Sequence, residues 1–108
     1  MLSPGTTGAI TELKVAAFLM DKGFEVFRNL SPHGTADLII RDRTSGVCKA
    51  IEVRTGSLGV NGKFYFPKKG IADNSDYYAV YFRENDTTAF FKISDYPLVS
   101  ISVERLLL

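Results

Sequence analysis

The chain has 108 residues, a formal charge of +1, 45% apolar residues and 23% charged ones. That is the profile of one globular domain spanning 1–108, with a core of its own, and not of a disordered tail or a uniformly basic nucleic-acid binder. A single cysteine (Cys48) and a single histidine (His33) exclude an internal disulfide and argue against a four-ligand zinc site. No apolar run reaches the about 20 residues of a membrane span, and no basic-then-apolar leader opens the chain, so a cytoplasmic protein with no membrane partner is expected.

Residues 1–8 read as a lead-in, with Thr6 and Thr7 as candidate helix caps. Residues 9–22 read as a helix stopped by Gly23. At about 100° per residue, Ile10, Leu13, Ala16, Ala17 and Met20 fall on one stripe, opposite Thr11, Lys14, Asp21 and Lys22. Glu12 lies at the margin of the apolar arc. It is either an early-turn acid facing the helix dipole or an acid aimed at a site.

Residues 24–30 alternate as a strand does, and 29–35 read as a turn containing His33, a solvent-exposed loop histidine or a proton carrier. Residues 36–41 and 47–54 read as two strands joined by a polar turn at 41–46. Cys48 falls in the second of them, as a small core or strand residue. Residues 55–74 carry four glycines, a short aromatic strand candidate at 64–66, and room for a short helix only at 68–73. Residues 77–83 read as a buried strand, 84–87 as a hairpin turn, and 88–93 as its return. The apolar tail 98–108 reads as a strand or as a segment seeking a partner.

The stretch 36–55 organises the rest. Each of its apolar runs holds one carboxylate, Asp37 in the first and Glu52 in the second. An acid inside an apolar strand is costly unless something pairs with it. On neighbouring strands of one hairpin the two acids can meet, and such a meeting point suits a divalent metal. Glu52 and Arg54 share one face of their strand, and Ile51 and Val53 the other, toward a core. A plainer reading sets Glu52 against Arg54 or Lys49, and Asp37 against Arg41, as weak ion pairs.

Asp37 followed by Glu52-Val53-Arg54 resembles the PD-(D/E)xK nuclease superfamily, with Arg54 where the family has Lys. The order helix, strand, hairpin over the first half of the chain, the junction G-F-E-V-F-R at 23–28, and Glu12 on the first helix extend the likeness. Small archaeal Holliday-junction resolvases and group I intron-associated endonucleases are the nearest groups. The resemblance implies an α/β, restriction-endonuclease-like fold: a mixed central sheet flanked by helices. It implies Mg2+ (or Mn2+) held by Asp37, Glu52 and the Val53 carbonyl, with Glu12 reaching the same site and Arg54 stabilising charge. Arg54 stays protonated, so it supports electrostatics and not base catalysis.

No acid interrupts the chain between Glu52 and Asp73, while Arg54, Lys63, Lys68 and Lys69 fall there. These lysines, with Arg28, are candidate phosphate contacts, and the interleaved aromatics either stack bases or fill the core. The expected function is Mg2+-dependent endonucleolytic cleavage of nucleic acid, DNA before RNA, by a C2 homodimer. The alternatives are a non-catalytic nucleic-acid-binding module that retains the fold, and an interaction domain without nucleic acid.

Overall fold

The computed structural model describes residues 2–31, 36–58, 64–65, 75–93 and 100–107, with Leu58, Phe64 and Tyr65 described by backbone alone. The expected short helix at 68–73 lies outside them. Helix α1 (Pro4–Asp21) is followed by strands β1 (Glu25–Arg28), β2 (Leu38–Arg41), β3 (Cys48–Leu58), β4 (Phe64–Tyr65), β5 (Tyr77–Phe82) and β6 (Thr87–Lys92), then a 3-10 helix, Val103–Arg105. The mixed α/β architecture matches the expectation from sequence.

Helix α1 begins earlier than the expected 9–22. Ser3, not Thr6 or Thr7, is its cap: Ser3 Oγ accepts from the Thr6 N–H at 3.2 Å, and Pro4 follows where a missing N–H costs nothing. At the other end Gly23 takes φ +96°. The Gly23 N–H donates to the Met20 carbonyl at 3.0 Å and the Phe24 N–H to that of Leu19 at 3.2 Å, turning the chain into β1.

The buried face of α1 is not the stripe read from periodicity. Thr11, Val15 and Leu19 are buried, whereas Leu13 and Met20 are 60% and 56% exposed. Apolar residues lie on more than one side of this helix, so local pattern leaves its rotation open. The Thr11 and Thr55 hydroxyls, 2.6 Å apart, and the seat of Val15 and Leu19 in the sheet core decide it.

The sheet runs β1-β2-β3-β5-β6, with β4 paired to the far end of β3. β1/β2, β2/β3 and β5/β6 are antiparallel, and β3/β5 is parallel. The β2–β3 turn is tied by Asp42, whose Oδ1 accepts from the Thr44 and Ser45 N–H groups at 2.7 and 3.1 Å, and by Gly46 at φ +76°. Those N–H groups hold the Asp42 carboxyl below its ordinary pKa. Cys48, the first residue of β3, is exposed and not part of the core.

Strand β5 is buried at every position because apolar clusters lie on both faces of the sheet. On the α1 face Leu38, Ile40, Ile51, Tyr77, Ala79, Tyr81 and Phe90 pack with Val15 and Leu19. On the opposite face Tyr78, Val80, Phe82 and Phe91 cluster. β3 extends past Arg54, so Gly56 is a strand residue and not a loop glycine. A Cβ there would stand 2.5 Å from the Phe82 ring and 2.7 Å from Val80 Cγ1.

The tail folds back on its own domain. The Ile101 N–H donates to the Phe90 carbonyl at 2.7 Å, and Val103 and Leu106 join the α1-side core, Leu106 fully buried. Burying one such leucine is worth about 1.5–3 kcal/mol. These residues therefore belong to the chain's own core, which corrects the reading of the tail as a strand or a partner-seeking segment.

Candidate functional site

Alternation along β3 sends Ile51 and Val53 to the α1 face and Glu52, Arg54 and Gly56 to the other. The parallel register sets Glu52 beside Tyr78, Arg54 beside Val80 and Gly56 beside Phe82. Glu52 therefore rises from an apolar surface and is only 8% exposed. On the other flank, Asp37 stands one residue ahead of β2. Its N–H donates to the Ile51 carbonyl at 3.1 Å, and its Oδ2 accepts from the Val53 N–H at 2.8 Å.

The antiparallel register, with Leu38 beside Ile51, continues Asp37 opposite Glu52, and the two-point attachment holds the two carboxyls as neighbours. Burial first, and the Asp37 carboxyl second, push Glu52 from its ordinary 4.5 up to about 7, against the opposing pull of Arg54.

Arg54 closes the cluster. Its Nη1 donates to Glu52 Oε1 at 2.8 Å and to the Val53 carbonyl at 3.0 Å. The guanidinium carbon lies 5.7 Å from the centroid of the Tyr78 ring, at the outer range of a cation–π contact. Among the described residues the cluster thus brings together two carboxylates, a backbone carbonyl and one cation. Glu52 Oε1 and the Val53 carbonyl converge on a single cationic nitrogen. The donor set is all oxygen, which is what hard divalent cations take.

The ion-pair alternative is half realised. Glu52 does pair with Arg54, but Arg41 pairs across the β1–β2 register with Glu25, at 3.5 Å, and not with Asp37.

The structure does not bring Glu12 to the acid pair. Among the described residues no three acid, histidine or cysteine side chains converge as a metal would need. Glu12 Oε1 instead accepts from Arg28 Nε at 2.9 Å. The reason is topological: Arg28 faces α1 from the edge strand, whereas Glu52 points to the sheet face away from α1. The pair rims a groove of about 190 Å³ between α1 and the β1–β2 edge, lined also by Leu13, Ala16, Met20 and Val26. Arg28 is thus held by Glu12, its side chain 59% exposed. His33, Lys63, Lys68 and Lys69 lie outside the described residues.

Tyr78 and Asp76 belong to this neighbourhood and were not legible as such. Asp76 Oδ2 accepts from the Ala50 N–H at 2.8 Å, and its own N–H donates to the Ala50 carbonyl at 2.9 Å, which locks the start of the β3–β5 pairing. The signal was present in outline, since Asp76 precedes an apolar run as Asp37 does. Tyr78 had no signal, because only the parallel register carries it to Glu52.

No protein-family model matches the sequence, and no curated protein matches it. The fold is similar to that of a bacterial homing endonuclease, with a TM-score of 0.74 over 93% of this chain and 73% of that one, at 16% sequence identity. At that identity the likeness is one of fold. No helix among the described residues is long and apolar enough to cross a membrane.

Proposed function

We propose that the chain is a divalent-metal-dependent endonuclease of the PD-(D/E)xK type, hydrolysing phosphodiester bonds of nucleic acid, DNA in preference to RNA. One observation carries the reading: Asp37, fixed on the Val53 N–H, stands opposite Glu52 across the β2–β3 junction, with a cation two residues along the same strand. The fold it shares with a homing endonuclease supports it. Asp37, Glu52 and the Val53 carbonyl would hold Mg2+ or Mn2+. A bound ion of this kind supplies a water of lowered pKa and positive charge for the phosphate oxygens.

The chain's own residues do the rest. The Val53 N–H fixes Asp37, so the acid is aimed before any ligand arrives. The apolar surface around Tyr78 removes water from Glu52 and strengthens every charge interaction there. Arg54, permanently protonated, offers charge to the oxygens that gain it in the transition state. Glu12 is left out of the ligand set, and its role is to hold Arg28. Arg28, Lys63, Lys68 and Lys69 are proposed to contact phosphates. Two copies related by C2 symmetry would cut the two strands of a duplex.

A second reading, a nucleic-acid-binding module without catalysis, is favoured by Arg54 standing where the family has Lys and lying against Glu52. Cleavage of plasmid and of branched DNA, with Mg2+ and then Mn2+, by wild type and by Asp37→Ala decides between them. Metal-dependent cutting that disappears in Asp37→Ala is the expected result. An inert wild type that still binds DNA would leave the binding module.

A further inference from the structure

We infer that Arg54 is the resident cation of the acid site: it occupies two of the oxygens a metal needs, is displaced from them when the metal enters, and is kept at the site by the Tyr78 ring. The inference rests on the proposed ligand set of Asp37, Glu52 and the Val53 carbonyl.

The geometry behind it is a coincidence of atoms. One nitrogen, Arg54 Nη1, reaches both Glu52 Oε1 at 2.8 Å and the Val53 carbonyl at 3.0 Å. These are charge-assisted contacts of the kind that a carboxylate beside a second carboxylate requires. A hard cation coordinating the same oxygens uses the same lone pairs, and it repels a guanidinium at that distance. One of the two must leave.

Mobility decides which. The Val53 carbonyl belongs to β3, and Glu52 is held in a nearly buried position between Asp37 and β5. Arg54 has the longest side chain of the group. The Tyr78 ring, 3% exposed and fixed in the sheet beside Glu52, lies 5.7 Å from its guanidinium carbon. A guanidinium pushed off the two oxygens keeps an attractive surface within reach, and it then faces outward with its charge available to a phosphate. The metal therefore does two things at once: it binds the acids and frees the cation. Tyr78 is a positioning residue in this scheme, acting only through Arg54.

The consequence is an affinity handicap built into the wild type. Mn2+ binding should be measured by titration calorimetry on the full chain. Arg54→Gln should bind Mn2+ about tenfold tighter or more, the scale expected for removing a competing charged hydrogen bond. Tyr78→Leu should weaken Mn2+ binding of the wild type a few-fold and leave that of Arg54→Gln unchanged, while Tyr78→Phe, which keeps the ring, should match the wild type. A purely structural role for Tyr78 would weaken both backgrounds alike, so the double-mutant comparison separates the two and stands even where Tyr78→Leu is less stable. Asp37→Ala serves as the site control. If Arg54→Gln binds no tighter than wild type while Asp37→Ala loses binding, the displacement is overturned and the metal site stands. If no variant and no wild type binds Mn2+, the metal site falls and the inference with it.

Discussion

Replacing Glu52 by Gln tests the acid pair through stability alone, with no substrate and no metal. In the folded chain Glu52 ionises at about 7, against an ordinary 4.5. Between those values the folded state holds a proton that the unfolded state has released. The stability tied to the neutral carboxyl is therefore complete below the ordinary value and is lost as pH rises through the folded one. The displacement corresponds to about 3 kcal/mol, with the contrary effect of Arg54 already contained in it. Against a total stability of roughly 5–15 kcal/mol for a domain, that is a large share. Gln keeps the shape and cannot ionise.

Urea unfolding in a chelator should therefore show the gap between Glu52→Gln and wild type moving in favour of Gln by about 3 kcal/mol from acid to pH 8. Asp37→Asn should shrink the pH dependence of the wild type, because the second-largest cause of the shift is removed. Asp42, whose pKa is lowered, contributes stability that is lost only as pH falls below its ordinary 3.8, and it does so equally in both proteins. Adding Mg2+ at pH 8 should restore much of the wild type's deficit and leave Glu52→Gln less affected. A gap that stays constant across the pH range would refute the argument that burial beside Asp37 keeps the Glu52 carboxyl neutral above its ordinary pKa.

Other outcomes follow from single features of the fold. Arg54→Ala should lower cleavage on the order of a hundredfold, the scale for losing one preorganised charge, whereas Arg54→Lys should retain activity; equal rates for Arg54→Ala and wild type would remove Arg54 from the chemistry. Gly56→Ala should cost about 1–3 kcal/mol in urea unfolding, because the added Cβ meets the Phe82 ring and Val80; a neutral result would contradict that close packing. Neutralising Lys63, Lys68 and Lys69 together should flatten the salt dependence of duplex binding by about 0.9 log-log units for each phosphate left without its cation, and an unchanged slope would mean that these lysines are only solvated.

The elements, and the meeting of the two acids, were already legible in the residues. Apolar runs bounded by polar turns specify strands through their neighbours along the chain, and a hairpin closed by Asp42 and Gly46 brings β2 against β3 with little choice of register. Once Asp37 and Glu52 stand on the two arms of that hairpin, local geometry sets them close. The two-residue alternation of a strand likewise puts Arg54 on Glu52's side.

The remaining features depend on residues far apart in the chain, and the packed fold alone set them. The rotation of α1 followed from the Thr11–Thr55 contact and the seat of Val15 and Leu19, not from periodicity, since the helix is apolar on more than one side. Glu12 went to Arg28, which faces α1 from the edge strand, whereas Glu52 points to the sheet face away from α1. Leu106 joined the core because the tail returns along β6. The raised pKa of Glu52 has the same origin. Its cause is burial against a face containing Tyr78, and the parallel pairing of β3 with β5 creates that face. Local pattern records which groups a segment carries, whereas desolvation is a property of what covers them, and covering is done by the rest of the chain.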